Sequence, residues 1–200
     1  MNTFDAINAR RAVKHFDPNH EFTQAELDKL TDLAMQAPSS FNIQHWRLVN
    51  VTDKALRAEI QAASNNQAQV TEASLLFVIC ADVKAWEKEP ARYWREAPQE
   101  AQDMLVPWMK VFYENNDQLQ RDEALRSVGL IAQTMMLSAK AMNYDSCPMI
   151  GFDQEEVAKL INLPDDHIIG MMLTIGKSVK DAFPKAGFIE KSEMLVENKF

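Results

Sequence analysis

Between residues 122 and 142 the chain carries Ala124, Leu125, Val128, Leu130, Ile131, Ala132, Met135, Met136, Leu137, Ala139 and Met142. A helix with that pattern has little polar surface left, and a helix apolar almost all round must be covered on most sides. The chain has 200 residues, enough for one domain with a sizeable core, and length alone does not demand a second. One domain of this size does not need a helix so long and so apolar. The stretch therefore predicts either a core helix or, given its length, an interface with a partner.

The other elements are marked by local chemistry. A first helix is expected from about Thr3 to Arg11. Thr23 and Glu26 form a T-x-x-E capping box, with Phe22 and Leu27 placed as a hydrophobic staple. Leu27, Leu30, Leu33 and Ala34 line one face of that second helix, and Pro38 stops it. WRLVNV at 46–51 reads as a strand, followed by a helix near 53–63 with Leu56, Ile60 and Ala63 on one side. LLFVICA at 75–81 has the length and β-branched content of a buried strand. Residues 85–118 are polar and aromatic, are interrupted by Pro90, Pro98 and Pro107, and read as helical pieces. SCPMIGF is extended and leads into a helix capped at Asp153, with Glu156 at its third position and Phe152 placed to staple Val157. HIIGMMLTIGK is the last strand, and the tail at 177–200 has no long helix. There is no repeat, low-complexity segment or linker, so residues 1–200 are expected to form a single unit. Strands separated by helices predict an α/β or α+β sheet, and the pattern alone goes no further.

Composition excludes several function classes. A formal net charge of -8 argues against broad phosphate-backbone binding, so no nucleic acid partner is expected. The longest apolar runs are far shorter than a bilayer span, so no membrane association is expected either. The opening residues show neither an apolar signal region nor a small-residue cleavage site. Cys80 and Cys147 lie far apart, and His15, His20, His45 and His167 are scattered without ligand spacing. No metal site or disulfide framework is expected, and the default compartment is the cytoplasm. The five glycines at 129, 151, 170, 176 and 187 build no G-x-G-x-x-G, and no P-loop, G-x-S-x-G or H-E-x-x-H occurs. A cofactor would have to carry any difficult chemistry.

Three segments stand out. Arg10-Arg11-Ala12-Val13-Lys14 is either a set of cations at a helix C-terminus, worth about 0.3–1 kcal/mol each, or a phosphate clamp built on forked guanidinium groups. The run from Ala37 to Trp46, APSSFNIQHW, is either an ordinary loop or a set of uncharged donors and acceptors for a neutral, hydrogen-bonding ligand. Pro148-Met149-Ile150-Gly151-Phe152 is either a strand-to-helix connection or a place where a flat ligand approaches the peptide at the small Gly151.

In this order and spacing the three segments resemble the nitroreductase family of FMN-dependent oxidoreductases. Arg10 to Phe16 is similar to that family's RRS-x-K-x-F signature, Pro38 to Trp46 to its PSSxNxQPW signature, and Pro148 to Phe152 to its PxxGF segment. The stretch NNQAQVTEAS at 65–74, read as helical, and Pro184-Lys185 also look familial, so the similarity spans essentially the whole chain. The resemblance implies an α+β fold, a three-layer sandwich with a mixed, mainly antiparallel sheet between helices. It also implies an intertwined homodimer whose C-terminal tails cross over to extend the partner's sheet, and FMN sites built from both subunits.

Residue by residue, the resemblance implies cofactor contacts along Arg10, Arg11, Ala12 and Lys14. Arg10 and Lys185 fall near the FMN phosphate. Lys14 falls at the pyrimidine N1/O2 edge, where a fixed cation favours the reduced state. Asn66 and Gln69 would contact the flavin or ribityl from the same subunit, and Ser39, Ser40 and Asn42 from the other. The backbone at Ile150 and Gly151 would face the ring near N5. Departures from the family pattern are Ala12 for Ser, His45 for Pro, Gly187 for a second Arg, Ile150 where some members have Glu and Gln69 where some have Lys.

The activity implied is ping-pong reduction of a nitroaromatic, quinone or similar small acceptor at the expense of NADH or NADPH. No side-chain acid or base is assigned, and Trp108, Phe112 or Tyr113 would either wall the cleft or simply pack in the core. The alternatives are a same-fold enzyme with another acceptor, resembling flavin reductases, dehalogenases or azoline oxidases, and a non-catalytic flavin-binding redox module.

Overall fold

The computed structural model describes all 200 residues. In chain order the helices are α1 (Thr3–Ala9), α2 (Gln24–Ala34), α3 (Lys54–Ala62), α4 (Gln69–Glu72), α5 (Gln99–Tyr113), α6 (Asp117–Ala141), α7 (Gln154–Leu160) and α8 (Lys191–Met194). The strands are β1 (Trp46–Asn50), β2 (Leu75–Asp82), β3 (Asp145–Met149) and β4 (His167–Gly176). They form one sheet in the order β1-β2-β4-β3, with every strand pair antiparallel. The one parallel pairing is an isolated bridge from Ala12 to Ser146, which lays the segment after α1 along the outer edge of β3.

β2 is buried along its whole length because each of its faces meets a helical layer. Leu75, Phe77, Ile79 and Ala81 face one core with Leu30 of α2 and Ala124, Val128, Ile131, Ala132 and Met135 of α6. Leu76, Val78 and Cys80 face the other core with Ile60 of α3, Val70 of α4 and Val157 of α7. Alternation with period two on a doubly covered strand gives the α+β three-layer sandwich directly. α6 packs so closely on β4 that a methyl at Gly170 would lie 2.5 Å from Val128 Cγ1, which explains a glycine in mid-strand.

The caps form as their residues predict. Thr23 and Glu26 make both bonds of the capping box, and Asp153 accepts from the Glu156 N–H at 3.0 Å. Other elements differ from the expectation. α1 stops at Ala9, with Arg10 as its C-cap in an extended conformation. Only Gln69–Glu72 of the 65–74 stretch is helical, because Asn65 and Asn66 adopt left-handed backbone angles. α6 begins at Asp117, earlier than expected, with Asn116 accepting from Leu119 N–H. Its apolar surface is not all covered, since Gly129 meets nothing within 4 Å and Leu130 is exposed. No helix is long and apolar enough to cross a membrane.

Candidate functional site: two half-sites at opposite sheet edges

Two of the three segments singled out in the sequence meet at the β3 edge. Beyond the Ala12 bridge, the Val13 N–H donates to Ser146 O at 3.1 Å, and Val13 and Phe16 are buried. That anchors the backbone and leaves the charged side chains between them to project. Burial raises the pKa of the Cys147 thiol, and the Lys14 and Arg10 cations oppose that rise. Arg11 behaves differently. Its Nη1 donates to Asn8 O at 2.7 Å and Arg10 O at 2.9 Å, so this guanidinium caps the end of α1. Within the chain Arg11 makes the helix-capping contacts, while the backbone that carries Arg10 and Lys14 is laid along the sheet edge.

The neighbouring loop is tied to the same place. Glu72 accepts from the Phe16 N–H at 3.1 Å and lies 3.3 Å from His15 Nδ1, joining α4 to the cationic segment. Gln67 Nε2 and Asn65 Nδ2 donate to Gly151 O at 3.0 and 3.3 Å. Gln69 is 2% exposed, and its Nε2 donates to Gln67 Oε1 at 2.9 Å. That bond orients Gln67. Asn66 is exposed, on the left-handed turn. Gln67 and Asn65 were not among the expected site residues; the run of side-chain amides N-N-Q was the signal for them.

At Ile150 and Gly151, both exposed, neither backbone N–H has an acceptor in the chain. Buried amides are almost always paired, and here two consecutive donors are offered at the surface beside the Gly151 carbonyl clamp. A Cβ on Gly151 would have its nearest neighbour, Gln67 Nε2, at 3.8 Å, so the glycine is not required by packing within the chain. Two free amide donors, two cations and side-chain amides along one edge suit a flat, anionic, hydrogen-bonding molecule. FMN fits that donor set. Lys185 lies in the exposed tail with its Nζ 5.2 Å from the Phe188 ring.

The third segment lies at the other edge of the sheet, leading into β1. Phe41, Asn42 and Gln44 all have positive φ, near 50–55°. Such a backbone is strained for a residue as bulky as Phe and persists only where its surroundings fix it. The surroundings are evident. Ser39 Oγ accepts from the Gln44 N–H at 2.9 Å, Asn42 Nδ2 donates to Tyr93 O at 2.8 Å, and Tyr113 OH donates to Ser40 Oγ at 2.6 Å. Tyr113 is fully buried and is a core residue, whereas Trp108 and Phe112 are exposed, with the Phe112 ring 5.5 Å from Phe41. His45 is fully buried, with Nδ1 3.1 Å from Ser127 Oγ, and its backbone N–H takes no acceptor. That unused N–H is why either Pro or His suits the position.

The two edges are separated by three inter-strand spacings, about 14 Å, and no hydrogen bond or ion pair joins the two groups. The remaining clusters serve other ends. A cavity of about 590 Å³ opens between α2 and α3 and contains none of these residues. Its Arg57 guanidinium is held by the carbonyls of Val51, Ala73 and Ser74. Asp82, Asp166 and His167 come together with metal-like spacing. Lys88, however, donates to both carboxylates at 2.8 and 2.5 Å, and an ammonium there opposes a metal ion.

A family model described as the nitroreductase family matches residues 7–177. Protein DrgA of Synechocystis is 57% identical over 182 residues, covering 91% of this chain and 87% of the relative. MhqN of Bacillus subtilis, named as an NAD(P)H nitroreductase, is 34% identical and covers 96% of each chain. Among solved structures, a nitroreductase in complex with FMN from Exiguobacterium sibiricum superposes with a TM-score of 0.90 at 26% identity, covering 98% of this chain and 97% of the other.

Proposed function

This chain belongs to the nitroreductase family, and from that premise we propose that it is an FMN-dependent NAD(P)H oxidoreductase reducing nitroaromatics, quinones or similar flat acceptors. The observation that carries the reading is the pair of free amide donors at Ile150 and Gly151, at the end of the strand along which the segment carrying Arg10 and Lys14 is laid. When bound, FMN supplies the two-electron transfer between a nicotinamide donor and an acceptor that use the same cleft in turn. Arg10 binds the phosphate, with Lys185 brought in from the tail. Lys14 places a cation at the edge where negative charge grows. Gln67 and Asn65 hold the Gly151 carbonyl, so the free N–H groups keep one direction. No side chain is placed to act as acid or base, and water supplies the protons.

The site is completed by a second copy. Ser39, Ser40 and Asn42 lie at the far edge of their own sheet and reach the cofactor of the partner. Apolar surface left open in one chain supports a homodimer, with Phe4 and Ile7 of α1, Leu130 of α6 and Phe183, Phe188 and Ile189 of the tail all exposed. Residues 1–200 act as one domain, in the cytoplasm, with Cys80 and Cys147 as buried free thiols. The test is direct. Cofactor released by heat should run as FMN on chromatography, and the yellow protein should bleach on adding NADH or NADPH. A colourless protein that takes up no FMN would overturn the proposal.

A further inference from the structure

A second cationic feature lies beside the Ser39–Asn42 loop, away from Arg10 and Lys14. A groove of about 420 Å³ is bounded by Gln44, Trp46, Arg47, Arg92, Tyr93 and Arg95. Three of these six residues are arginines and none is acidic, in a chain whose formal net charge is -8. The usual account of a surface arginine is an ion pair with a neighbouring carboxylate, and here that account covers little. Arg92 forms no ion pair, and the Glu89 and Asp82 carboxylates act on it only weakly, after its bond to Tyr93. Arg95 has only Glu96 at 3.7 Å, with both side chains largely exposed, a pair worth little. Arg47 approaches Asp82 at 3.6 Å, but that carboxylate is already held by Lys88 at 2.8 Å.

Two of the guanidinium groups are also preorganised. Arg47 Nη1 donates to Gln44 O at 3.1 Å and Trp46 O at 2.8 Å. Arg92 lies over the Tyr93 ring at 4.8 Å and donates to Tyr93 OH at 2.7 Å, while that hydroxyl donates to Ala85 O at 3.0 Å. Planar forks held in this way lose little freedom on meeting a phosphate and can bind it through two oxygens at once. The groove is rigidly coupled to the loop assigned to the flavin, because Asn42 Nδ2 donates to the carbonyl of Tyr93, a groove residue.

We propose that this groove is a phosphate subsite that receives the 2′-phosphate of NADPH and makes the chain prefer NADPH to NADH. The inference rests on the nicotinamide-dependent reading above. A nicotinamide stacked in the cleft leaves the adenosine half of the dinucleotide outside it, and the groove adjoins, through Tyr93, the Asn42 loop assigned to that cleft. The 2′-phosphate is the only group that separates the two donors, and three cations with no acid among the lining residues discriminate in its favour.

The test uses the full-length holoenzyme and the double variant R92A/R95A, both sites being exposed. With one quinone held saturating, wild type should show the higher kcat/KM with NADPH. The variant should lose about tenfold or more of that value through KM, with NADH changed less than twofold and FMN content unchanged. R92K/R95K should recover part of the loss, since Lys restores charge without the fork. Calorimetry with 2′,5′-ADP reads the groove without turnover, so it separates failure of this inference from failure of the enzymatic reading. Binding should be present in wild type and lost in R92A/R95A. A wild-type preference for NADH, an equal loss with both donors, a change in quinone KM alone, loss of FMN, or unaltered 2′,5′-ADP binding would each overturn the assignment.

Discussion

His45 should make this protein acid-sensitive in a defined window. Its imidazole is fully buried, bonds through Nδ1 to Ser127 and has no partner for Nε2. Burial is the main cause that pushes its pKa down from 6.5 to about 4; Asp82 opposes the shift and Arg47 adds to it. The sign follows from which state binds the proton. Between pH 6.5 and 4 the unfolded chain takes up a proton on this histidine and the folded chain does not, so stability falls as pH falls through that window and levels off below it. One pKa unit corresponds to about 1.4 kcal/mol, so the full loss is about 3 kcal/mol, of which about 2 kcal/mol appears between pH 7 and pH 5. The assay is urea unfolding by tryptophan fluorescence at pH 7 and pH 5, with protein and FMN concentrations held fixed. His45→Gln keeps a polar group for Ser127 and removes the titration, so it should start less stable at pH 7 but lose about 2 kcal/mol less than wild type on acidification. Equal losses in the two proteins would refute the reasoning.

Charge at the cofactor separates the roles of two cations. Lys14→Ala should lower the flavin midpoint potential by about 30 mV or more, a tenfold change in a two-electron equilibrium, whereas Arg10→Ala should mainly weaken FMN binding. Dye-coupled reductive titration with FMN saturating checks this, and a shift confined to Arg10→Ala would reverse the assignment. Packing is tested at Gly170, where an added methyl would meet Val128 Cγ1 at 2.5 Å. Gly170→Ala should cost about 1–3 kcal/mol in urea unfolding, and an unchanged midpoint would show that α6 and β4 can move apart freely.

Much of this architecture was legible because it is written in local chemistry. Thr23 with Glu26 and Asp153 with Glu156 marked helix starts through side chains that satisfy their own backbone, and the uniformly apolar β2 announced a strand covered on both faces. What was not legible depended on contacts distant in sequence. The 65–74 stretch has helical composition, yet Asn65 and Asn66 turn left-handed so that Asn65 and Gln67 can reach Gly151, 86 and 84 positions away. Gln69 matched a family position by sequence, and its bond to Gln67, the amide that meets Gly151, shows only in the folded chain. The strain at Phe41, Asn42 and Gln44 could not be foreseen from their side chains, since Tyr93 and Tyr113 that hold Asn42 and Ser40 are supplied by the 85–118 region. The arginine groove was hidden for the same reason, since Arg47 and Arg92 belong to segments that meet only in the folded chain.

The central claim is that one flavin site takes Arg10 and Lys14 from one chain and Ser40 and Asn42 from another. Complementation tests it most directly. R10A/K14A and S40A/N42A proteins carrying different tags should each bind FMN poorly as pure homodimers. When the two are co-expressed and the mixed dimer is isolated through both tags, one site contains both intact halves and the other contains neither. The account predicts about one tightly bound FMN per mixed dimer, with NAD(P)H-dependent quinone reduction near half that of wild type. A mixed dimer that binds FMN no better than its parents, or either parent homodimer retaining two FMN, would contradict it.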